Sequence, residues 1–265
     1  MFPFLLPVQI GDVVWQVGPY TLFFGLAILL AMGGALWLGH LRGFPLRRQL
    51  PLLAIMFLSA LLGARLFWAL GNMDRVLADP ALLTAMSTQG FSLYGGIFFA
   101  LGTGYLLSRR LGWSPWKLAD TWTPLMGVGV GTMRIGCFCH GCCFGHSTNG
   151  PLGVEFPLMS PAHQYQLTEG GSFLQVDAVH PTQLYEMGAA FLLSALAMVL
   201  LRRGVPEGRV TLLMLGGFSA ARLGIGVLRA PTDNSPVWMY PLIYSTVIVV
   251  CSALFLQNAL KPTQP

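Results

Sequence analysis

Charge is what this sequence has least of. Only 9% of its 265 residues are Asp, Glu, Lys or Arg, where a soluble domain carries roughly a quarter. A surface so poor in charge cannot be wetted all round, which excludes an ordinary water-soluble globule. Acids are scarcer still, 10 against 15 bases. Alternation of apolar and polar residues with period two is missing, which argues against a membrane-spanning barrel. Around Met1–Ile10 there is neither a basic leader nor a small-residue cleavage site, so no cleavable signal is expected and the first apolar span serves as the insertion signal.

What is there is hydrocarbon. Hydrophobic residues make up 54% of the chain and the mean hydropathy is +0.65. The apolar runs are long and rich in Leu, Ala and Gly. In a bilayer such runs satisfy their backbone groups as helices. They predict an all-α integral membrane protein with seven transmembrane helices, near 19–41, 50–70, 91–108, 116–137, 183–201, 209–228 and 238–258. Three connectors are basic, carrying Arg42, Arg47 and Arg48, then Arg109, Arg110 and Lys117, then Arg202, Arg203 and Arg209. Lys261 follows the last span, and most acids lie on the other side, at Asp12, Asp74, Asp79, Glu155, Glu169, Asp177 and Asp233. Cytoplasmic loops collect Lys and Arg, so the N-terminus is expected outside and the C-terminus in the cytoplasm. Ten of the fifteen cations fall inside on this topology, so the +5 net charge records orientation and offers no argument for nucleic acid. The chain reads as a single membrane domain, 1–265. The long stretch 138–182 between the fourth and fifth helices is too long for a turn and is expected to form a small extracytoplasmic cap.

Three arginines, Arg65, Arg134 and Arg222, fall inside predicted spans, where each costs about 2.5–3.5 kcal/mol on insertion scales. Arg229 lies seven residues beyond Arg222, two turns along the same expected helix face. Converging guanidiniums grip phosphate through planar forks of donors. Snorkelling, or pairing with Asp120, Glu186 or Asp233, is the blander alternative. Tyr94 with Gly95 and Gly96 opens the third span, as an interfacial anchor or beside a ligand. His180-Pro-Thr-Gln-Leu-Tyr-Glu186 opens the fifth, and His, Tyr and Glu within two turns are capable of acid/base work. Gly127-Val-Gly-Val-Gly131 reads as a helix-packing face.

The segment Arg134-Ile-Gly-Cys-Phe-Cys-His-Gly-Cys-Cys-Phe-Gly145 holds four of the five cysteines. Three readings stand side by side. Cys139, Cys142, His140 and His146 are a possible metal set. The thiols could instead pair as disulfides, or act as small apolar residues that permit close packing. Cys251, within the last span, is a packing residue.

In order along the chain, these segments resemble the prolipoprotein diacylglyceryl transferase family. The resemblance runs through Val17-Gly-Pro-Tyr20, Gly63-Ala-Arg65, Phe91-Ser-Leu-Tyr-Gly-Gly96, Arg134-Ile-Gly with Gly141 and Gly145, Gly153-Val-Glu-Phe-Pro157, His180-Pro-Thr-Gln-Leu-Tyr-Glu186, Arg222 and Arg229-Ala-Pro-Thr-Asp233. It implies an enzyme of the bacterial inner membrane whose active site faces outside. Such enzymes move the diacylglyceryl group of phosphatidylglycerol onto the lipobox cysteine of a prolipoprotein signal peptide, and need no cofactor. On the resemblance, Arg134, Arg222, Tyr94 and His180 belong to the chemistry. Arg65, Gly95, Gly96, Cys137, His140, Gly141, Gly145, Glu186 and Arg229 belong to substrate binding. This chain departs from the family pattern at Tyr94 in place of a histidine, at Cys137 and His140 in place of asparagines, at Cys142 in place of a glutamate and at Phe218 in place of a tyrosine. His140 or His180 would then supply the base. Two other readings remain at this stage: a sibling transferase that uses the same lipid and another acceptor, and a thiol- or metal-handling membrane protein.

Overall fold

The computed structural model describes residues 6–10, 13–83, 91–231 and 238–260. Ten α-helices dominate these residues: α1 (Pro19–Ile28), α2 (Gly34–Leu41), α3 (Leu46–Gly71), α4 (Met73–Ala78), α5 (Leu93–Arg110), α6 (Pro115–His140), α7 (Pro161–Thr168), α8 (Thr182–Arg202), α9 (Arg209–Gly226) and α10 (Met239–Leu260). A π-helical turn, Leu29–Gly33, joins α1 to α2 without a break in the rod. Each of the seven sequence-derived spans is therefore helical. Among the described residues, four helices are long and apolar enough to cross a membrane: Pro19–Leu41, Leu46–Gly71, Thr182–Arg202 and Met239–Gln257. The others carry more glycine and polar residues, which lowers their hydropathy.

One element was not anticipated. Strands β1 (Leu6–Ile10) and β2 (Val13–Val17) pair antiparallel, with Leu6 opposite Val17 and Ile10 opposite Val13. The cue was two short apolar runs, the second rich in valine, either side of Gly11-Asp12, a hairpin signature hidden by overall hydrophobicity. Asp12, Gly90 and Asp233 lie outside the described residues.

Helix ends follow local chemistry. Pro19 starts α1 at a position where its missing N–H costs nothing. Helices α2, α5, α6 and α8 stop at Gly43, Gly112, Gly141 and Gly204, all with positive φ (89°, 74°, 78° and 67°), the left-handed cap that glycine adopts without steric cost. Arg109, Arg110 and Arg202 stand in last turns, where a cation complements the helix dipole.

The chain divides into two compact units, residues 36–119 and residues 1–35 with 120–265. In the first, α3 and α5 pack so closely that a methyl at Gly95 would stand 2.3 Å from Gly63 O, and one at Gly63 would stand 2.5 Å from Gly95 O. Ser59 Oγ adds a hydrogen bond to Phe99 O at 3.2 Å. The Gly95→Ala protein is therefore expected to lose about 1–3 kcal/mol by overpacking. A thermal melt in detergent reads this, and an unchanged melting temperature would contradict the packing described here.

In the second unit α6 is central. Gly127 meets Ser194 of α8 and Met214 of α9, and Gly131 meets Phe191 of α8, as small residues four apart allow. Asp120 is no partner for an arginine. Its carboxylate accepts from Gly208 N (2.6 Å), Thr211 N (2.8 Å) and Thr211 Oγ1 (2.6 Å) and so caps the start of α9. Between α6 and α8, residues 141–181 pack a small core of their own. Phe144, Phe156, Ala162 and Val179 are buried with Ala230, against Phe138 and Tyr165. Isolated bridges, Ser147 with Val179 and Val154 with Val179, tie this segment into a short ribbon. The Gln166 side-chain amide grips the Asp177 backbone both ways, donating to its O at 2.9 Å and accepting from its N at 3.1 Å.

Candidate active site

Three helices of the second unit bring their ionisable groups to one carboxylate. Glu186, in the first turns of α8, is only 1% exposed, whereas the arginines around it are 13–25% exposed. Arg134 Nε, from α6, lies 2.5 Å from Glu186 Oε2. Arg222 Nη1, from α9, and Arg229 Nη1, at 3.3 Å, share Oε1. The pairing alternative is thus realised through Glu186, but one carboxylate cannot neutralise three guanidiniums. An excess of positive charge remains, partly buried, where Coulomb interactions are stronger than in water.

Arg229 reaches this point by a route the sequence did not suggest. Helix α9 ends at Gly226, so Arg222 and Arg229 do not share a helix face. Arg229 is instead held in a bridge with Gly145. His146 N donates to Leu228 O at 2.8 Å, Ala230 N to Phe144 O at 3.2 Å and Gly145 N to His180 O at 2.8 Å. A methyl at Gly145 would stand 2.4 Å from Leu228 O, so only glycine lets these segments meet. Gly145 positions Arg229 and the start of the His180 motif together.

The rest of that motif builds the neighbouring loop. Thr182 and Gln183 are fully buried. Thr182 Oγ1 donates to Cys143 O at 2.7 Å and Gln183 Nε2 to Cys142 O at 2.6 Å. His180 Nδ1 is 3.4 Å from Tyr185 OH. Tyr244 of α10 went unnoticed in the sequence. Its hydroxyl accepts from Arg222 Nε at 3.0 Å, and its ring lies 5.4 Å from that guanidinium, a cation–π contact. The signal was Tyr240 and Tyr244, one turn apart and stacked. Thr182 and Gln183 sat inside a recognised string, but their loop partners were not legible from it.

The sulfurs group differently from the spacing. All five cysteines are free thiols. Among the described residues the close group is Cys137, Cys142 and Cys143, with Sγ atoms within 4.8 Å of one another, in place of Cys139, Cys142, His140 and His146. Arg134 Nη1 lies 3.8 Å from Cys137 Sγ. Hydrogen bonds from Cys137 and Cys142, with the charges of Arg229 and Arg134 beyond, hold the Cys143 thiol well below its ordinary value. Cys142, hydrogen-bonded to Cys137 and Cys143 and buried, is pushed far above it. His140, at the end of α6, tilts against Tyr20 with 6.1 Å between ring centroids.

A cleft of about 570 Å³ follows the ribbon past Gly145, His146, Tyr165, Glu169 and Asp177. Two carboxylates and no arginine make it the wrong environment for phosphate. Tyr94, Gly95, Gly96 and Arg65 belong to the other unit. There Gly95 and Gly96 face α3. Arg65 Nη2 donates to Leu82 O, and its guanidinium lies 5.3 Å from the Trp68 ring and 5.1 Å from that of Phe91.

The chain is similar to known proteins along nearly its whole length. The family model described as prolipoprotein diacylglyceryl transferase matches residues 8–259. Among relatives named phosphatidylglycerol–prolipoprotein diacylglyceryl transferase, that of Actinobacillus pleuropneumoniae serotype 3 (strain JL03) is 30% identical over 241 residues, 85% of this chain and 83% of the relative. That of Vibrio vulnificus (strain YJ016) is 29% identical over 232 residues, 84% and 80% of the two chains. That of Aeromonas hydrophila subsp. hydrophila is 26% identical over 269 residues, 97% and 93%.

Proposed function

This chain belongs to the prolipoprotein diacylglyceryl transferase family, and from that premise we propose that it transfers the diacylglyceryl group of phosphatidylglycerol to the lipobox cysteine of prolipoproteins. The convergence of Arg134, Arg222 and Arg229 on the single buried carboxylate of Glu186 carries the reading. In this reaction the acceptor sulfur attacks the glyceryl carbon of the lipid. A C–S bond forms, the C–O bond to phosphate breaks, the thiol proton is lost and glycerol phosphate leaves. The leaving phosphate gains a negative charge as the bond breaks. Guanidiniums already held in place, short of carboxylate partners and screened from bulk water, stabilise that charge without reorganising. Glu186 keeps their mutual repulsion in check and sets their spacing. Gly145, through its bridge to Arg229, fixes the third.

Both substrates are membrane-embedded, so the protein works as a multi-pass enzyme of the bacterial inner membrane. All seven long helices cross, with the N-terminus outside, the C-terminus in the cytoplasm, and the 138–182 cap and the active site on the outer side. The basic connectors and the position of Arg134 at the end of α6 away from Lys117 support this orientation. His180, hydrogen-bonded to Tyr185 and tied through its carbonyl to Gly145, takes the thiol proton in this reading. His140 keeps the role its motif suggests, and Cys137 at the end of α6, with Gly141 and Cys142 in the loop that follows, lies beside the headgroup.

Complementation tests the function in the cell. In a strain depleted of its own transferase, the parent chain is expected to restore growth and lipoprotein processing, while Arg222→Ala, expressed to the same level in the membrane, is not. Failure of the parent chain despite good membrane expression would overturn the assignment.

A further inference from the structure

Three thiols of the second unit are gathered with more care than packing demands. Cys137, on the last turns of α6, is buried, and Cys142 and Cys143 follow on the loop. Their Sγ atoms all lie within 4.8 Å of one another. A metal–thiolate bond of about 2.3 Å would set sulfurs roughly 4 Å apart, so the group needs to contract by less than about 1 Å to hold an ion. Cys143 has φ +61°, a left-handed conformation uncommon for a residue with a side chain and costing on the order of 1 kcal/mol or more. The loop is kept there by two fully buried side chains, Thr182 and Gln183, which donate to the carbonyls of Cys143 and Cys142. Cys142 Sγ turns back to Cys137 O at 3.7 Å, and Cys142 N donates to the same oxygen at 3.2 Å. Cysteines present only as small apolar filler need neither the strained backbone nor the clamps. Outer hydrogen bonds of this kind are what orient the ligands of a metal.

We propose that Cys137, Cys142 and Cys143 form a three-thiolate binding site for a soft monovalent cation, Cu(I). Thiolates select soft ions such as Cu(I) and zinc over hard ones. Structural zinc sites are closed by four ligands, and among the described residues this group offers three. Binding forms three Cu–S bonds, releases the thiol protons to solvent and changes no oxidation state. The resulting complex is anionic. Arg134, whose Nη1 lies 3.8 Å from Cys137 Sγ, offsets part of that charge. The site goes beyond the transferase reading and is tested without measuring transfer.

The full-length protein, reduced and purified in detergent without oxygen, is titrated with Cu(I) against a chromogenic Cu(I) chelator. One copper per chain is expected to resist the chelator, with X-ray absorption reporting three sulfur neighbours. Cys137→Ser, Cys142→Ser and Cys143→Ser each weaken retention by at least about tenfold, while Cys139→Ser and Cys251→Ser retain it. Should a serine variant fail to fold, alkylation of the parent replaces it. Bound copper is then expected to shield the partly exposed Cys142 and Cys143 and leave Cys139 open, as mapped by mass spectrometry. Complete loss of copper to the chelator, retention unaffected by the three substitutions, protection that falls on Cys139, or zinc held in preference with four ligands would each overturn the site.

Discussion

The Arg134→Ala protein is expected to transfer the diacylglyceryl group roughly 100- to 1,000-fold more slowly than the parent, the usual effect of removing one preorganised donor from a developing oxyanion. Arg134 is held by Glu186 at 2.5 Å, yet Glu186 keeps Arg222 and Arg229 when it is gone. Folding should therefore survive while the leaving phosphate loses a partner. The conservative Arg134→Lys restores the charge without the planar fork, so it should recover part of the rate and no more. Initial rates with purified protein, phosphatidylglycerol in excess and a lipobox peptide decide the matter. A rate within a few-fold of the parent would remove Arg134 from the chemistry.

The second large effect is on stability, and it falls on the opposite partner. Glu186→Gln leaves three guanidiniums facing a neutral amide in a site where the carboxylate is 1% exposed. Breaking a buried ionic cluster by removing its single opposing charge costs about 3–5 kcal/mol. The variant should unfold at clearly lower temperature in detergent. Replacing Arg222 by methionine in the same chain should return part of the loss, because one uncompensated charge goes with it. Equal melting of the parent and Glu186→Gln would mean that the carboxylate does not hold the cluster together. The two predictions separate the tasks: arginine variants lose rate and keep the fold, and the glutamate variant loses the fold first.

Much of the helical frame could be read from hydropathy alone. Runs of Leu, Ala and Gly without period-two alternation left helices as the default, and each predicted span is helical. The N-terminal hairpin escaped because Leu6–Val17 is hydrophobic enough to look like more of the same. At the site, motif strings named the right residues but not their partners. Arg134, Glu186 and Arg222 were separately visible. That one carboxylate serves three arginines depends on how α6, α8 and α9 cross, which no local pattern encodes. Arg229 is the sharper case. A two-turn spacing from Arg222 implied a common helix face, but the helix stops at Gly226 and a bridge to Gly145 does the placing. Tyr244 and Gln183 were missed for the same reason, since each acts across more than 20 residues of sequence. The cysteines show the converse failure. Spacing suggested Cys139 with Cys142, whereas a left-handed Cys143 brings the sulfurs of Cys137, Cys142 and Cys143 together.

The central claim is that the arginine cluster binds a phospholipid headgroup and releases it as glycerol phosphate while a thioether forms. The most direct measurement supplies the purified protein with phosphatidylglycerol labelled in both the diacylglyceryl and the headgroup glycerol, together with a lipobox peptide. The account predicts that the diacylglyceryl label moves to the peptide's cysteine sulfur and that labelled glycerol phosphate appears in equal amount. It also predicts no transfer to a peptide with serine in place of that cysteine. Label left in the lipid, or headgroup release with no thioether on the peptide, would contradict it.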